Sequence, residues 1–119
     1  MRLALGFVLA LAGAGAATAE EVASAPGAVL RALDKVSGET TDLELSSGAT
    51  ARFGRLDVTL SDCRYPVADP SANAYANLVI ADADTGAIAF DGWMVASSPA
   101  LSALDDPRYD VWVIRCESE

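Results

Sequence analysis

Two apolar segments separated by a turn make up residues 75–96, YANLVIADADTGAIAFDGWMVA. Residues 75–81 are almost continuously apolar, as in a strand buried on both faces. Residues 82–86, DADTG, have the composition of a tight turn, and residues 87–96 form a second apolar segment. This pattern predicts a β-hairpin whose second strand contains Trp93 and Met94.

The segments before this hairpin also indicate strands. Residues 29–36 favour a strand, although Leu, Ala and Arg also suit a short helix. After Ser37-Gly38, residues 41–46 alternate apolar and polar side chains with a period of two. Residues 50–61 change phase at Gly54, which predicts one bent strand or two short ones.

After the hairpin, Ser98 and Pro99 are typical of a helix start, so we predict one short helix over Ser98–Leu104. A last strand over residues 109–116 follows. The predicted fold is therefore all-β: a small antiparallel sandwich or barrel of about six strands with one short helix. We expect a single β domain over residues 28–119, preceded by a flexible tail over residues 20–27.

The N-terminus has the composition of a secretory signal peptide, residues 1–19: Arg2, an apolar stretch, and Ala17-Thr18-Ala19 as a cleavage site. We expect cleavage after Ala19 and a periplasmic location, with an uncleaved anchor as the alternative. The apolar stretch is shorter than the roughly 20 residues that span a bilayer. No cysteine lies near the cleavage site, so we expect no direct lipid anchor.

The charge excludes some partners. Beyond residue 19 the chain has seven basic and 17 acidic residues, a net charge of −10. Such a chain repels nucleic acids and anionic lipid headgroups, so we expect no nucleic-acid partner. The two cysteines, Cys63 and Cys116, each follow a strand-like segment and predict one disulfide in an exported protein. A redox or metal-ligand role is the alternative, but the spacing is not C-x-x-C and the chain has no histidine.

Several motifs resemble catalytic or metal sites. Asp84-Thr85-Gly86 matches the aspartic-protease signature, but this tripeptide is also an ordinary turn and falls late in the chain. Asp82 and Asp84 do not continue into an EF-hand loop, and a looser calcium site would use Asp105, Asp106 and Asp110. Ser97 and Ser98 lack a histidine base, and Lys35 is the single lysine. We therefore predict no catalytic residue, no metal site and no cofactor.

A surface for a partner or ligand is the remaining possibility, because aromatic and Met side chains are enriched at interfaces. The alternative is that these side chains pack in the core. The candidate residues for this surface are Trp93, Met94, Leu101, Leu104, Tyr109 and Trp112.

A long motif resembles a known bacterial family, domain of unknown function 2155. The matching residues are FxGWMxASSPALSAL at 90–104, PxYDVWV at 107–113 and Cys116, together with VLRxLDK at 29–35, FGxL at 53–56 and Cys63. The resemblance implies an exported protein of Gram-negative envelopes, with no established activity, substrate or cofactor. It also implies an association with genes of the proton-pumping NADH dehydrogenase. Members typically have His where this chain has Asp106.

The sequence thus predicts a non-catalytic periplasmic accessory or binding protein, not an enzyme. One form is a small subunit on the periplasmic face of a membrane complex, such as a respiratory NADH dehydrogenase, held by a protein partner. The alternative is an envelope carbohydrate- or peptidoglycan-binding domain, in which Trp112, Tyr109 and acidic side chains face a sugar.

Overall fold

The protein is all-β, as predicted. The computed structural model describes residues 19–117, so the predicted signal peptide lies outside the described residues except for Ala19. The strands are β1 (Val22–Ala25), β2 (Gly27–Asp34), β3 (Thr40–Ser46), β4 (Thr50–Phe53), β5 (Leu56–Pro66), β6 (Tyr75–Asp82), β7 (Ile88–Val95) and β8 (Tyr109–Glu117).

These strands form two antiparallel sheets. Sheet A has the order β1-β5-β6-β7. Both β1 and β4 pair with the same edge of β5: β4 with its first residues and β1 with its last. Sheet B has the order β3-β2-β8. On each strand every second side chain points to the same face of its sheet. The inward faces of the two sheets pack against each other and form one apolar core. The fully buried members include Leu30, Leu60, Leu78, Ile80, Met94, Val111 and Val113.

A disulfide joins the two sheets. Cys63 in β5 and Cys116 in β8 are bonded, and their Cα atoms are 5.8 Å apart. Cys63 is completely buried, whereas Cys116 is partly accessible. The prediction of one disulfide is therefore confirmed, and the link fixes the position of the C-terminal strand against sheet A.

The strand count differs from the predicted six. The phase change at Gly54 is a tight turn with a φ of 57°, so residues 50–61 form β4 and the start of β5 as two strands. Residues 22–25, predicted as part of a flexible tail, form β1 and pair with residues 63–66. That pairing also extends β5 through Pro66, because Tyr65 and Pro66 pair with β1 beyond Arg64, where the register with β6 ends.

The predicted helix over Ser98–Leu104 is wrong. These residues form turns, in which the Ser98 N–H donates to the Val95 carbonyl and the Leu101 N–H donates to the Ser98 carbonyl. Only a few residues lie between Pro99 and Pro107. So short a segment forms too few helical hydrogen bonds to offset the free-energy cost of helix nucleation. Among the described residues no helix is long and apolar enough to cross a membrane.

Candidate functional site

The six candidate surface residues divide into two groups. Met94, Leu104 and Tyr109 are buried, so their side chains pack in the core instead of forming a surface. Trp93 is 38% exposed and Leu101 is 77% exposed, while Trp112 is half-buried. Trp93 is therefore the aromatic side chain most accessible to a partner among the candidates.

The two tryptophans lie on opposite sides of the sandwich. Met94 points into the core from β7, so its neighbour Trp93 lies on the outer face of sheet A. Val111 and Val113 point inward from β8, so Trp112 lies on the outer face of sheet B. The structure does not bring the candidate residues together in one surface.

Strand register determines the neighbours of Trp93. In sheet A, Asp62, Asn77 and Trp93 lie side by side across β5, β6 and β7, and Arg64 and Tyr75 form the next row. The Arg64 guanidinium carbon is 4.9 Å from the centre of a Trp93 ring, a distance typical of a cation–π contact. We call Asp62, Arg64, Tyr75, Asn77 and Trp93 the Trp93 surface.

Ionic contacts hold the polar part of this surface. The Arg64 Nε donates to Asp62 Oδ2 over 2.8 Å, and the Ser24 hydroxyl donates to the same oxygen over 3.3 Å. The Tyr75 hydroxyl donates to Glu20 Oε1 over 2.6 Å, and this hydrogen bond raises the pKa of Tyr75. Because Arg64 is held by both Asp62 and the indole ring, the surface is ordered before any partner binds.

Sequence reasoning missed Arg64 and Tyr75. Residues 64–73 contain two prolines and resemble a loop, which hides the fact that Arg64 pairs with Tyr75 in a sheet. The alternation of Tyr75 and Asn77 with buried Ala76 and Leu78 was the available signal for an outward polar row.

The opposite end of the sandwich contains a cluster around Asp34 and Tyr109. Arg108 donates from Nη2 to Asp34 Oδ2 over 2.9 Å and from Nε to Oδ1 over 3.2 Å. These hydrogen bonds, together with the N–H groups of Val36 and Ser37, lower the pKa of Asp34 to about 2 despite its burial. The carboxylate is thus fully committed to structural contacts, which leaves it no proton to exchange near neutral pH.

Tyr109 is sandwiched in that cluster. Its ring packs edge-on against Phe53, with centroids 5.6 Å apart. The guanidinium carbons of Arg108 and Arg55 are 5.3 and 5.5 Å from its centroid. Tyr109 is only 4% exposed, so it closes this end of the core and does not present a binding face.

The acidic motifs form turns. Asp82 Oδ1 accepts the N–H groups of Asp84 and Thr85, which lower the pKa of Asp82 and close the β6–β7 hairpin. Asp106 Oδ1 accepts the N–H groups of Arg108 and Tyr109. Residues 19–117 contain no group of three His, Cys, Asp or Glu side chains arranged to hold a metal ion.

Residues 28–116 match the model of a family described as "Uncharacterized protein conserved in bacteria (DUF2155)". The chain belongs to this family. A curated relative, the uncharacterized protein RP359 of Rickettsia prowazekii (strain Madrid E), is 26% identical over 88 residues, which cover 71% of this chain and 57% of the relative. The chain thus spans little more than half the length of that curated relative, and no solved structure matches the chain.

Proposed function

We propose that this DUF2155 protein is a non-catalytic binding protein of the bacterial envelope, a small subunit that docks on the periplasmic face of a membrane complex. The observation that supports the proposal is the exposed Trp93 ring under the Arg64 guanidinium, 4.9 Å away. Trp and Arg are the residue types most often found at the energetic centre of protein interfaces.

The position of Trp93 suits docking. The ring lies near the edge of sheet A, since β7 pairs only with β6 among the described strands. Asp62 and Tyr75 surround it with polar groups that already have partners. A central aromatic side chain with a polar rim is the usual anatomy of a protein interface. Prior ordering of Arg64 lowers the entropy lost on binding.

A tagged copy, separated on native gels after mild detergent extraction, tests this proposal. We expect the wild type to migrate with a large membrane complex, and mass spectrometry of that band names the partner. A respiratory NADH dehydrogenase is the first complex to examine, given the gene association of the family. Trp93→Ala should weaken docking about 30-fold, the effect of losing about 2 kcal/mol at a hot spot.

Val36→Ala is the matched control, because Val36 is 75% exposed in the β2–β3 turn and lies outside the Trp93 surface. This variant should migrate with the complex as the wild type does. Wild-type protein that runs entirely at its own mass contradicts the proposal. So does a folded Trp93→Ala variant that remains in the complex.

A second proposal is carbohydrate binding through the outer face of sheet B. Trp112 lies there in a row with Arg31 and Asp42, and Asp110 is on the same face. Aromatic rings beside carboxylates suit a sugar, although Tyr109 is buried and contributes nothing to such a face. Here the protein should sediment with purified sacculi, and Trp112→Ala should remain in the supernatant while Trp93→Ala sediments.

A further inference from the structure

A groove lies at the end of the sandwich beside the disulfide. Its volume is about 630 Å³, within the usual range of small-molecule sites. The loop between β5 and β6 forms one wall and β8 forms the other. The apolar lining comes mainly from Tyr65, Pro70, Ala72, Ala96, Ile114 and Cys116.

The polar side chains of the groove already have partners. The Asn73 amide nitrogen donates to Ser97 Oγ over 2.9 Å, and the Asn73 Oδ1 accepts the N–H groups of Ala74 and Ser97. The Ser71 hydroxyl donates to Asp69 Oδ1. A peptide laid in the groove would bring backbone N–H and C=O groups that need partners, and these side chains have little capacity left. An aliphatic chain makes no such demand.

Arg115 is the one charged side chain among the lining residues described. The Arg115 side chain is 62% exposed, and its Nη2 forms an ion pair with Glu117 Oε2 over 3.7 Å, which is too long for a hydrogen bond. The Arg115 charge also acts on the Asp42 carboxylate. Because Glu117 accepts no hydrogen bond from it, the guanidinium keeps N–H donors for an incoming carboxylate. This positive group beside an apolar groove favours an anionic head group at that position, on a chain whose net negative charge repels anions elsewhere.

We infer that this groove binds a single-chain carboxylate amphiphile, a fatty carboxylate whose aliphatic chain lies against Tyr65, Ala72 and Ile114 and whose head group contacts Arg115. The groove shares no lining residue with the Trp93 surface, so this inference does not rest on the docking of a protein partner there.

Dodecanoate below its micelle concentration is the probe, with binding to the oxidised protein followed by isothermal titration calorimetry. We expect one saturable site, and affinity that rises from octanoate through decanoate to dodecanoate as more CH₂ groups are buried. Dodecyltrimethylammonium, with the same chain and a positive head group, should bind at least tenfold more weakly. Arg115→Gln should lower dodecanoate affinity about tenfold.

Ala72→Trp fills the groove from its exposed wall and should abolish binding. Ala72 is exposed, so this variant keeps the buried core intact. Ala100→Trp is its control, because Ala100 is also exposed and does not line the groove. Arg52→Gln is the control for Arg115→Gln, because both arginine side chains are 62% exposed and Arg52 does not line the groove.

Three outcomes overturn the inference: no saturable dodecanoate binding, unchanged binding in folded Ala72→Trp, or equal affinity for the cationic amphiphile. Adsorption to anionic phosphatidylglycerol vesicles that free dodecanoate does not compete away also overturns it, since the ligand is then a lipid surface and not one chain.

Discussion

Gly54 lies directly against the Tyr109 ring: a Cβ atom at position 54 would be 2.5 Å from the tyrosine hydroxyl oxygen and 2.6 Å from its ring carbon Cζ. The turn between β4 and β5 thus has no side chain where β8 begins, and this absence lets Tyr109 close the core.

Gly54→Ala should therefore destabilise the fold by about 2–3 kcal/mol, because the new methyl group collides with Tyr109 and the φ of 57° disfavours an L side chain. Urea unfolding measures the change. Gly38→Ala separates the two causes, since Gly38 has a φ of 80° with open space around it. We expect about 1 kcal/mol there, and equal losses in both variants would refute the steric explanation.

The Asp34–Arg108 pair predicts a specific acid sensitivity. The folded-state pKa of Asp34 is about 2, below the ordinary value of 3.8, so its stabilising contribution is complete above about pH 4. It disappears as the pH falls through 2, because the unfolded chain takes up the proton first. The urea midpoint should thus fall more steeply between pH 4 and 2 in the wild type than in Asp34→Asn.

Asp91→Asn is the control for this titration, because Asp91 is exposed on β7. Its midpoint should follow the wild-type curve. If Asp34→Asn also follows that curve, the carboxylate does not contribute as described. Asp42, Asp82 and Asp106, whose pKa values are also lowered, contribute to the acid sensitivity that remains.

The disulfide should contribute about 4 kcal/mol to stability, since it closes a loop whose ends are 53 residues apart. Comparing urea unfolding with and without dithiothreitol measures the difference. The Cys63→Ala/Cys116→Ala variant should match the reduced protein and should not respond to the reductant. An oxidised protein no more stable than this variant would contradict the prediction.

Asp106 should stabilise the fold through its Oδ1 atom, which accepts two backbone N–H groups at the start of β8. Partial burial alone would raise the pKa of Asp106, but these donors, with the charges of Arg55 and Lys35, lower it. Asp106→Ala should lose about 1–2 kcal/mol, because both N–H groups lose their acceptor. Asp106→Asn keeps an acceptor oxygen and should remain within about 0.5 kcal/mol of the wild type, as measured by thermal unfolding.

Local patterns were enough to predict the disulfide and every strand except β1. Alternation in residues 41–46 and the apolar run at 75–81 correspond to β3 and β6, because side-chain periodicity survives in any sheet that buries one face. The Ser37-Gly38 and Ser47-Gly48 turns are also visible, since Gly38 and Gly48 both adopt positive φ.

The features that the sequence did not predict depend on contacts between residues far apart in the chain. β1 consists of VASA, too short and too small to indicate a strand, and it exists because the end of β5 supplies its hydrogen-bond partners. The 98–104 segment has helix-start residues, but Leu104 is buried while Leu101 remains exposed. A helix there would bury only a single leucine, which is too little to stabilise so short a segment. Arg64 reaches Trp93 only after three strands are in register, a relationship that no local pattern encodes.

Sheet B is built from the two ends of the described chain: β2 lies between β3 and β8, and Gly27 pairs with Glu117. During synthesis the β3–β2 hairpin emerges early and must wait for the whole of sheet A, and then for β8, before its second edge is covered. Pairing of β2 with β8 is slow, because closing so long a loop costs conformational entropy before the strands make contact. The bare edge of β2 is thus the surface most in need of protection from aggregation while the chain is incomplete.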